Sequence, residues 1–481
     1  MTAEAVAVRS LAQAGTRVVP RWLVAAVPLF AAGIAFVWTL HAELQRMYGM
    51  TSPAWDFAYD QQVIYNISIG QGFYSSFARA NFLGIHFELI FVFLAAVEKL
   101  WPNPTVLLLF SSAGLAATAP AGYLLFRSLL PEGRAESPWL AMALAAPIPF
   151  WAAIQEAARD FFHPENMALA LAMLAAWAGI RGHRVAMWVL CVLVLMCKED
   201  QIYTIGVIAL LMRAQGAPAV RKEWRFLIYL GAAWFLVCVV GLQTYFRNGG
   251  YSDFVYYKWL FLHPTVEMVL AALLRPEALL TVAGVIAGMA ALPLLAPRWL
   301  ALVIPPYALS VLSGHTTQFI LSLHYTLLLL FPLVIAGAMG ARRLLSMRSL
   351  HTAVAVAAVL PALVIGVAAG RFPPMLYTES PWAYDRANTL AELRTATAMI
   401  PPDACVSADS GLTIWLANRH TINDFPDMLS RDCYVVIDRG PFINGPTQPA
   451  IRDDNLGALP ASGRRVLYDD GKYQVWSPVG A

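Results

Sequence analysis

Asp56 and Asp60 stand four residues apart in the stretch Trp55-Asp56-Phe57-Ala58-Tyr59-Asp60-Gln61-Gln62, shortly after the first long apolar run. Spacing of i, i+4 puts both carboxylates on one face of a helix. A carboxylate there could take a proton from an attacking hydroxyl. More ionisable groups occupy the short polar gaps between later apolar runs. They are His86 and Glu88; Arg159-Asp160-Phe161-Phe162-His163-Pro164-Glu165; Lys198-Glu199-Asp200; Arg247, Tyr251, Asp253, Lys258 and His263; and His324-Tyr325. Such groups near membrane depth are costly and usually face a cavity or each other. Together they offer a general base and a counter-charge for a departing anion. The counter-charge could come from Arg159, Lys198, Arg247 or Lys258, or from a divalent cation (Mg or Mn) held by Asp160 and Glu165.

Each cluster also has a plainer reading. Asp56 and Asp60 suit an amphipathic loop helix facing water. Asp160, His163 and Glu165 suit an interfacial helix cap, and Lys198-Glu199-Asp200 a self-neutralising triplet. His324 suits a hydrogen-bonded packing histidine, and the aromatic stretch Tyr251 to Phe261 an interfacial belt.

The elements that must position these groups are membrane helices. The chain has 481 residues, 59% hydrophobic and 13% charged, against about 25% charged in soluble proteins. Its net charge of +3 gives no electrostatic case for a nucleic-acid partner. The periodicity of apolar runs predicts about eleven spans, over residues 22–40, 105–126, 139–156, 167–180, 185–197, 201–213, 226–246, 277–295, 299–313, 320–340 and 351–369. Residues 1–21 then form a cytoplasmic N-terminus leading into a retained first helix. The basic short loops (Arg127 and Arg134; Arg181 and Arg184; Arg213, Arg221, Lys222 and Arg225; Arg298; Arg342, Arg343 and Arg348) all fall on the inner side, as the positive-inside rule requires. Residues 86–101 are apolar but carry Glu88, Glu98 and Lys99. Counting them as a span would invert every later loop, so they read as a juxtamembrane or re-entrant helix in a first outer loop over 41–104.

Composition changes after the last apolar run. Residues 22–369 make the transmembrane domain and 370–481 an outer α/β domain, joined through Pro373-Pro374. In it, 383–399 is patterned as a helix. Residues 405–408 and 433–438 read as buried strands, and 466–476 as a hairpin around Asp470-Gly471. Of five cysteines, Cys191, Cys197 and Cys238 lie in apolar runs, while Cys405 and Cys433 could pair in an oxidising compartment.

At Asp56 with Gln62, Gly72, Phe82-x-x-x-His86, Pro102, Pro104, His163-Pro164-Glu165, Lys198-Glu199-Asp200, Gly249-Gly250-Tyr251, His324-Tyr325 and Asp424-Phe425-Pro426, the chain resembles the DUF2079 family of prokaryotic membrane proteins. That family in turn resembles the GT-C superfamily of membrane glycosyltransferases. The resemblance implies a GT-C-like helical membrane fold with a soluble C-terminal domain. It implies a hexosyl- or pentosyltransferase of the cytoplasmic membrane, using a polyprenyl-phosphate-linked sugar and a glycan, lipid or protein acceptor. Asp56 would be the general base, with Asp60 the substitute. Gln62, His86, Glu88, Arg159, His163, Lys198, Glu199, Asp200, Arg247, Tyr251, Lys258, His263, His324 and Tyr325 would contact substrate. Where protein mannosyltransferases carry His-Pro-Pro, this chain has His86-Phe87-Glu88. A transporter or flippase for a lipid-linked or small polar substrate, or a membrane scaffold, is the competing reading. The ionisable residues gather at helix ends on one side rather than at the midplane, which favours the enzyme.

Overall fold

The computed structural model describes residues 21–52, 54–134, 136–247, 253–347, 386–427, 429–439 and 449–480. The expected last span over 351–369, the Pro373-Pro374 linker and Tyr251 lie outside them. Among the described residues, six helices are long and apolar enough to cross a membrane: Trp22–Tyr48, Thr105–Leu129, Ser137–Arg159, Arg221–Arg247, Val266–Gly288 and Thr316–Ser346.

The bundle opens with α1 (Arg21–Tyr48). After it the chain kinks and forms α2 (Tyr59–Ser68), the hairpin β1 (Tyr74–Ser75) and β2 (Ala80–Asn81), and α3 (Phe91–Leu100). A ten-residue helix is about 15 Å long, half of what a bilayer demands. Val92, Phe93 and Leu100 on α3 are exposed, which suits a helix lying at the membrane surface. α4 (Thr105–Leu129) packs against α1 and α7 (Glu165–Arg181). A Cβ on Gly114 would sit 2.5 Å from the carbonyl oxygen of Asn166, so only glycine permits this approach. The segment expected as one span over 139–156 is broken into α5 (Ser137–Ala145) and α6 (Ala152–Arg159) by a 3-10 turn, Ile148–Phe150. Pro147 and Pro149 lack the amide hydrogens that would continue the helix. α8 (Arg184–Cys197), α9 (Ile202–Gln215) and α10 (Trp224–Trp234) follow.

The later spans shift from their expected places. α11 (Val266–Leu273) and α12 (Pro276–Gly288) precede residue 289, and the stretch expected as a span over 299–313 is fragmented, with α13 (Ile304–Val311) its longest piece. α14 (Leu327–Ser346) is buried along most of its length.

The C-terminal region holds α15 (Arg386–Thr397), β3 (Val406–Asp409), α16 (Ser410–Leu416), β4 (Ile422–Phe425), β5 (Tyr434–Asp438), α17 (Pro449–Ala458), β6 (Val466–Asp469) and β7 (Tyr473–Trp476). The strands form one sheet in the order β4-β3-β5-β7-β6. β3 pairs in parallel with β4 and β5, and β7 runs antiparallel to β5 and β6. The expected hairpin is β6–β7. Sequence reading missed β4, a four-residue strand inside a polar stretch. Cys405 and Cys433 form a disulfide with Cα atoms 4.4 Å apart.

This sheet shares a core with the first loop. Phe57, Tyr59, Phe82 and Phe91 join Phe161 and Phe162 from the second loop, and Leu412, Val436 and Tyr473 from the C-terminal region, in one buried cluster. Each such aromatic contributes about 2 kcal/mol by burial. The seam is polar as well. Gln62 donates to Ser76 (2.6 Å) and to the carbonyl of His420 (2.8 Å), Gln61 to Asn418 (2.7 Å), and Asn418 to Glu98 (2.9 Å). A Cβ on Gly411 would lie 1.8 Å from the Met50 carbonyl oxygen, so α16 rests directly on the backbone leading to Asp56.

Candidate active site

Asp56 sits at the kink between α1 and α2 with φ +68°, ψ −74°, a strained γ-turn conformation for a residue with a side chain. What holds the kink is aromatic packing. Phe57 stacks on Phe161 with centroids 5.0 Å apart and planes 11° off parallel. Arg46 lies 4.2 Å over the other partner ring, Phe161, and donates to the carbonyl of Arg159. Phe161 also takes a positive φ, +63°, which turns the chain sharply between Asp160 and His163. Beneath it Glu43 accepts from Ser111 (3.1 Å) and Ser112 (2.8 Å), and Asn166 donates to Ser111 (2.8 Å) and to the Phe161 carbonyl (3.0 Å). Glu43, Arg46 and Asn166 escaped the sequence reading. A lone acid at the end of an apolar span was the signal that Glu43 carried.

The two loops thereby face each other. His163 Nε2 lies 3.8 Å from Asp56 Oδ2 and 3.6 Å from Asp160 Oδ2. His324, from the 3-10 turn Leu323–Thr326 before α14, brings Nδ1 to 2.5 Å from Asp160 Oδ2 and stacks on His163 at 3.8 Å between centroids. Tyr325 packs on His324 at 4.1 Å. From the turn between α8 and α9, Lys198 forms a buried ion pair with Glu165. Glu199 accepts from the Phe87 amide (2.8 Å) and pairs with His86 (3.1 Å). Side chains far apart in sequence thus meet at one end of the bundle.

Their electrostatics differ sharply. Partial burial would raise the Asp56 carboxyl, but the charge of His163 beside it holds it well below the usual carboxylate range. Burial opposes a charge on His163, yet Asp160 and Asp56 beside it raise its pKa to about 9. Asp60 goes the other way. Burial, with the nearby charge of Asp56, pushes it well above the usual range, and burial beside Asp60 does the same to Glu88. Glu165 is brought to about 2 by Lys198 in spite of its burial, and burial carries Asp200 to about 7. His163 thus favours the ionised form of Asp56, whereas burial and like charge favour the protonated form of Asp60. Asp56 is also open, with 54% of its side chain exposed, whereas His163 beside it is 6% exposed.

Among the described residues, several buried polar atoms here have no hydrogen-bond partner: both ring nitrogens of His163, Glu88 Oε2 and Glu165 Oε2. The ligand atoms of Asp160, His163 and His324 lie within 4.8 Å of one another. Two imidazoles and a carboxylate suit Zn²⁺ or Mn²⁺ better than Mg²⁺, which favours oxygen. Glu165, engaged by Lys198, is not one of the three.

The profile of a family described as predicted membrane proteins, DUF2079, matches residues 46–439. The chain belongs to the DUF2079 family. No curated protein matches the sequence. Among solved structures, the DUF2079 chain is similar to ArnT from Cupriavidus metallidurans in the apo state, at 13% identity and TM-score 0.50, over 94% of this chain and 97% of ArnT. ArnT bound to undecaprenyl phosphate aligns at 10% identity and TM-score 0.45, over 93% and 98%. At such identities the likeness to apo ArnT is one of fold.

The remaining expected site residues of this DUF2079 protein fall elsewhere. Gln62 is fully buried in the seam with the C-terminal sheet. Arg159 pairs with Glu156 at 3.0 Å. Arg247 donates to the Gly84 carbonyl (2.8 Å), tying the first loop to the span before it. Lys258 and His263 are exposed, on a segment whose Tyr257 and Trp259 donate to carbonyls of Leu309 and Leu312. Tyr251 lies outside the described residues.

Proposed function

We propose that this DUF2079 protein transfers a sugar from a polyprenyl-phosphate donor to a hydroxyl of an envelope glycan, lipid or protein, at the outer face of the cytoplasmic membrane. The observation that carries the reading is the half-exposed, ionised Asp56, set in a strained turn beside the buried His163, whose ring nitrogens make no hydrogen bond among the described residues. The acceptor oxygen attacks the anomeric carbon and inverts it. The bond from that carbon to the phosphate oxygen breaks, its electron pair leaves with the phosphate, and the hydroxyl proton passes to Asp56. His163 holds Asp56 unprotonated, the state that a proton acceptor needs. Lys198 supplies counter-charge near the leaving phosphate. Asp160, His163 and His324 are the groups that would hold a divalent cation, whose chemistry is to neutralise phosphate charge.

The fold shared with ArnT supports a glycosyltransferase-like protein. Undecaprenyl phosphate is ArnT's ligand in one crystal structure, and a polyprenyl phosphate is the carrier class proposed here. The disulfide supports an oxidising compartment for the C-terminal domain, and the basic loops support about eleven spans with the N-terminus inside. The test is carrier release. Purified protein in bilayers, given undecaprenyl-phosphate-linked hexoses and pentoses with cell-envelope extract as acceptor, should free undecaprenyl phosphate. Asp56→Asn should cut the rate about 10²- to 10⁴-fold while leaving the unfolding temperature unchanged. Equal release by the variant would remove Asp56 from the chemistry. Absence of release from every donor would overturn the transferase reading.

A further inference from the structure

Far from this site lies a second concentration of charge. α14 starts beside His324 and Tyr325 and ends at Ser346. Twenty residues of helix span about 30 Å, so its last turn lies a bilayer thickness from the Asp56 cluster. There Arg342 and Arg343 of α14 and Arg298 of the turn Pro297–Leu300 line a cavity of 460 Å³, with Trp299, Met339 and Leu295 as apolar wall. All three arginines are exposed. No carboxylate lines the cavity, and among the described residues none forms an ion pair with them. Arg342 gives one hydrogen bond to Gln215 (2.5 Å) and Arg343 one to the Leu295 carbonyl (3.0 Å). A guanidinium has five N–H groups, so each arginine keeps donors free. Leu294 beside the cavity is exposed, which continues the apolar wall outward.

We infer that this cavity binds the headgroup phosphate of an anionic glycerophospholipid in the leaflet opposite the Asp56 cluster. Arginine forks match phosphate oxygens two at a time. Basic pockets between helices on the cytoplasmic side are suited to such headgroups. The apolar wall accommodates the first part of the acyl chains, which free phosphate would leave bare. One or two arginines would serve to offset the carbonyl end of α14. Arg298 comes from another turn and converges on the same space.

Binding can be read without any transferase activity, so its failure is distinct from failure of the proposed function. Delipidated full-length protein in detergent is titrated with cardiolipin, phosphatidylglycerol, phosphatidylethanolamine or inorganic phosphate, and adducts are counted by native mass spectrometry. Cardiolipin and phosphatidylglycerol should bind ahead of phosphatidylethanolamine. Affinity should fall about fivefold for each arginine replaced by alanine. The triple variant R298A/R342A/R343A should lose the preference, and R342K/R343K should keep part of it. If the triple variant does not fold, Arg298→Ala alone gives the fivefold step, since its exposed side chain supports no neighbour. Equal binding of anionic lipid by wild type and variant overturns the site. So does displacement of lipid by equimolar inorganic phosphate, which would mark a free-anion site.

Discussion

Two groups of buried acids in this molecule are treated in opposite ways. In the C-terminal sheet, Asp409 at the end of β3 receives two bonds from Arg452, at 2.9 and 2.7 Å, and one from the Asp438 amide at 2.8 Å. Arg452 spends a further bond on the Asp438 carbonyl. This is the carboxyl end of the parallel strands, where ligands commonly bind in α/β sheets, and here an internal ion pair fills it. At the Asp56 cluster, among the described residues, His163, Glu88 and Glu165 keep polar atoms without hydrogen-bond partners, and burial and crowded like charge push Asp60 and Glu88 toward their protonated forms. A network that satisfies itself fixes structure. One left incomplete at a cost in stability is arranged for something that completes it.

Replacements should separate the two. Arg452→Ala strands a buried carboxylate and should destabilise the fold by about 3–5 kcal/mol, read by denaturant unfolding. A smaller cost than Asp56→Asn incurs would break the contrast. Reducing the Cys405–Cys433 bridge, which closes a 28-residue separation, should cost about 3 kcal/mol, visible as a lower unfolding temperature in dithiothreitol. Within the C-terminal domain Asp424 is an intermediate case. It is buried with Oδ1 unpartnered, and burial together with the charges of Asp427 and Asp409 raises its pKa to about 8. The unfolded chain loses this proton near 3.8. Between those values the folded state binds more protons, so stability falls as pH rises from about 4 to about 8. Asp424→Asn should flatten that slope in thermal unfolding measured across the window; an unchanged slope would assign it to other groups. The smallest effect is expected from Asp60→Asn. Burial and like charge favour the protonated form of Asp60, which its amide resembles, so carrier release should drop by less than about tenfold. A loss as large as that of Asp56→Asn would make Asp60 the base.

Much of the site was readable because its residues break an apolar pattern. Asp56, Asp160, His163, Lys198 and His324 stand where hydrophobic runs end, and burial at such positions demands partners. Which partners was not readable. Asp160 meets His324 across 164 residues, and Glu165 meets Lys198 across 33. Gln62, adjacent to the acids, looked like a substrate ligand, and its amide is spent on Ser76 and His420. The stitching of the first loop to the C-terminal sheet leaves no local pattern either, because Gly411 and Met50 fit through backbone approach alone. The later spans were misplaced because their proline-punctuated apolar runs satisfy the helix pattern in several registers.

By itself the sequence determined a polytopic helical protein with most of its ionisable groups at helix ends, since lipid admits only apolar runs. It also determined the hairpin at Asp470-Gly471, where Gly471 takes φ +86°. Only the tertiary structure decided how the two acids differ. Asp56 and Asp60 are the same side chain four residues apart. Burial and like charge push Asp60 toward its protonated form, while His163, brought across from the second loop by the Phe57–Phe161 stack, pulls Asp56 toward its ionised form.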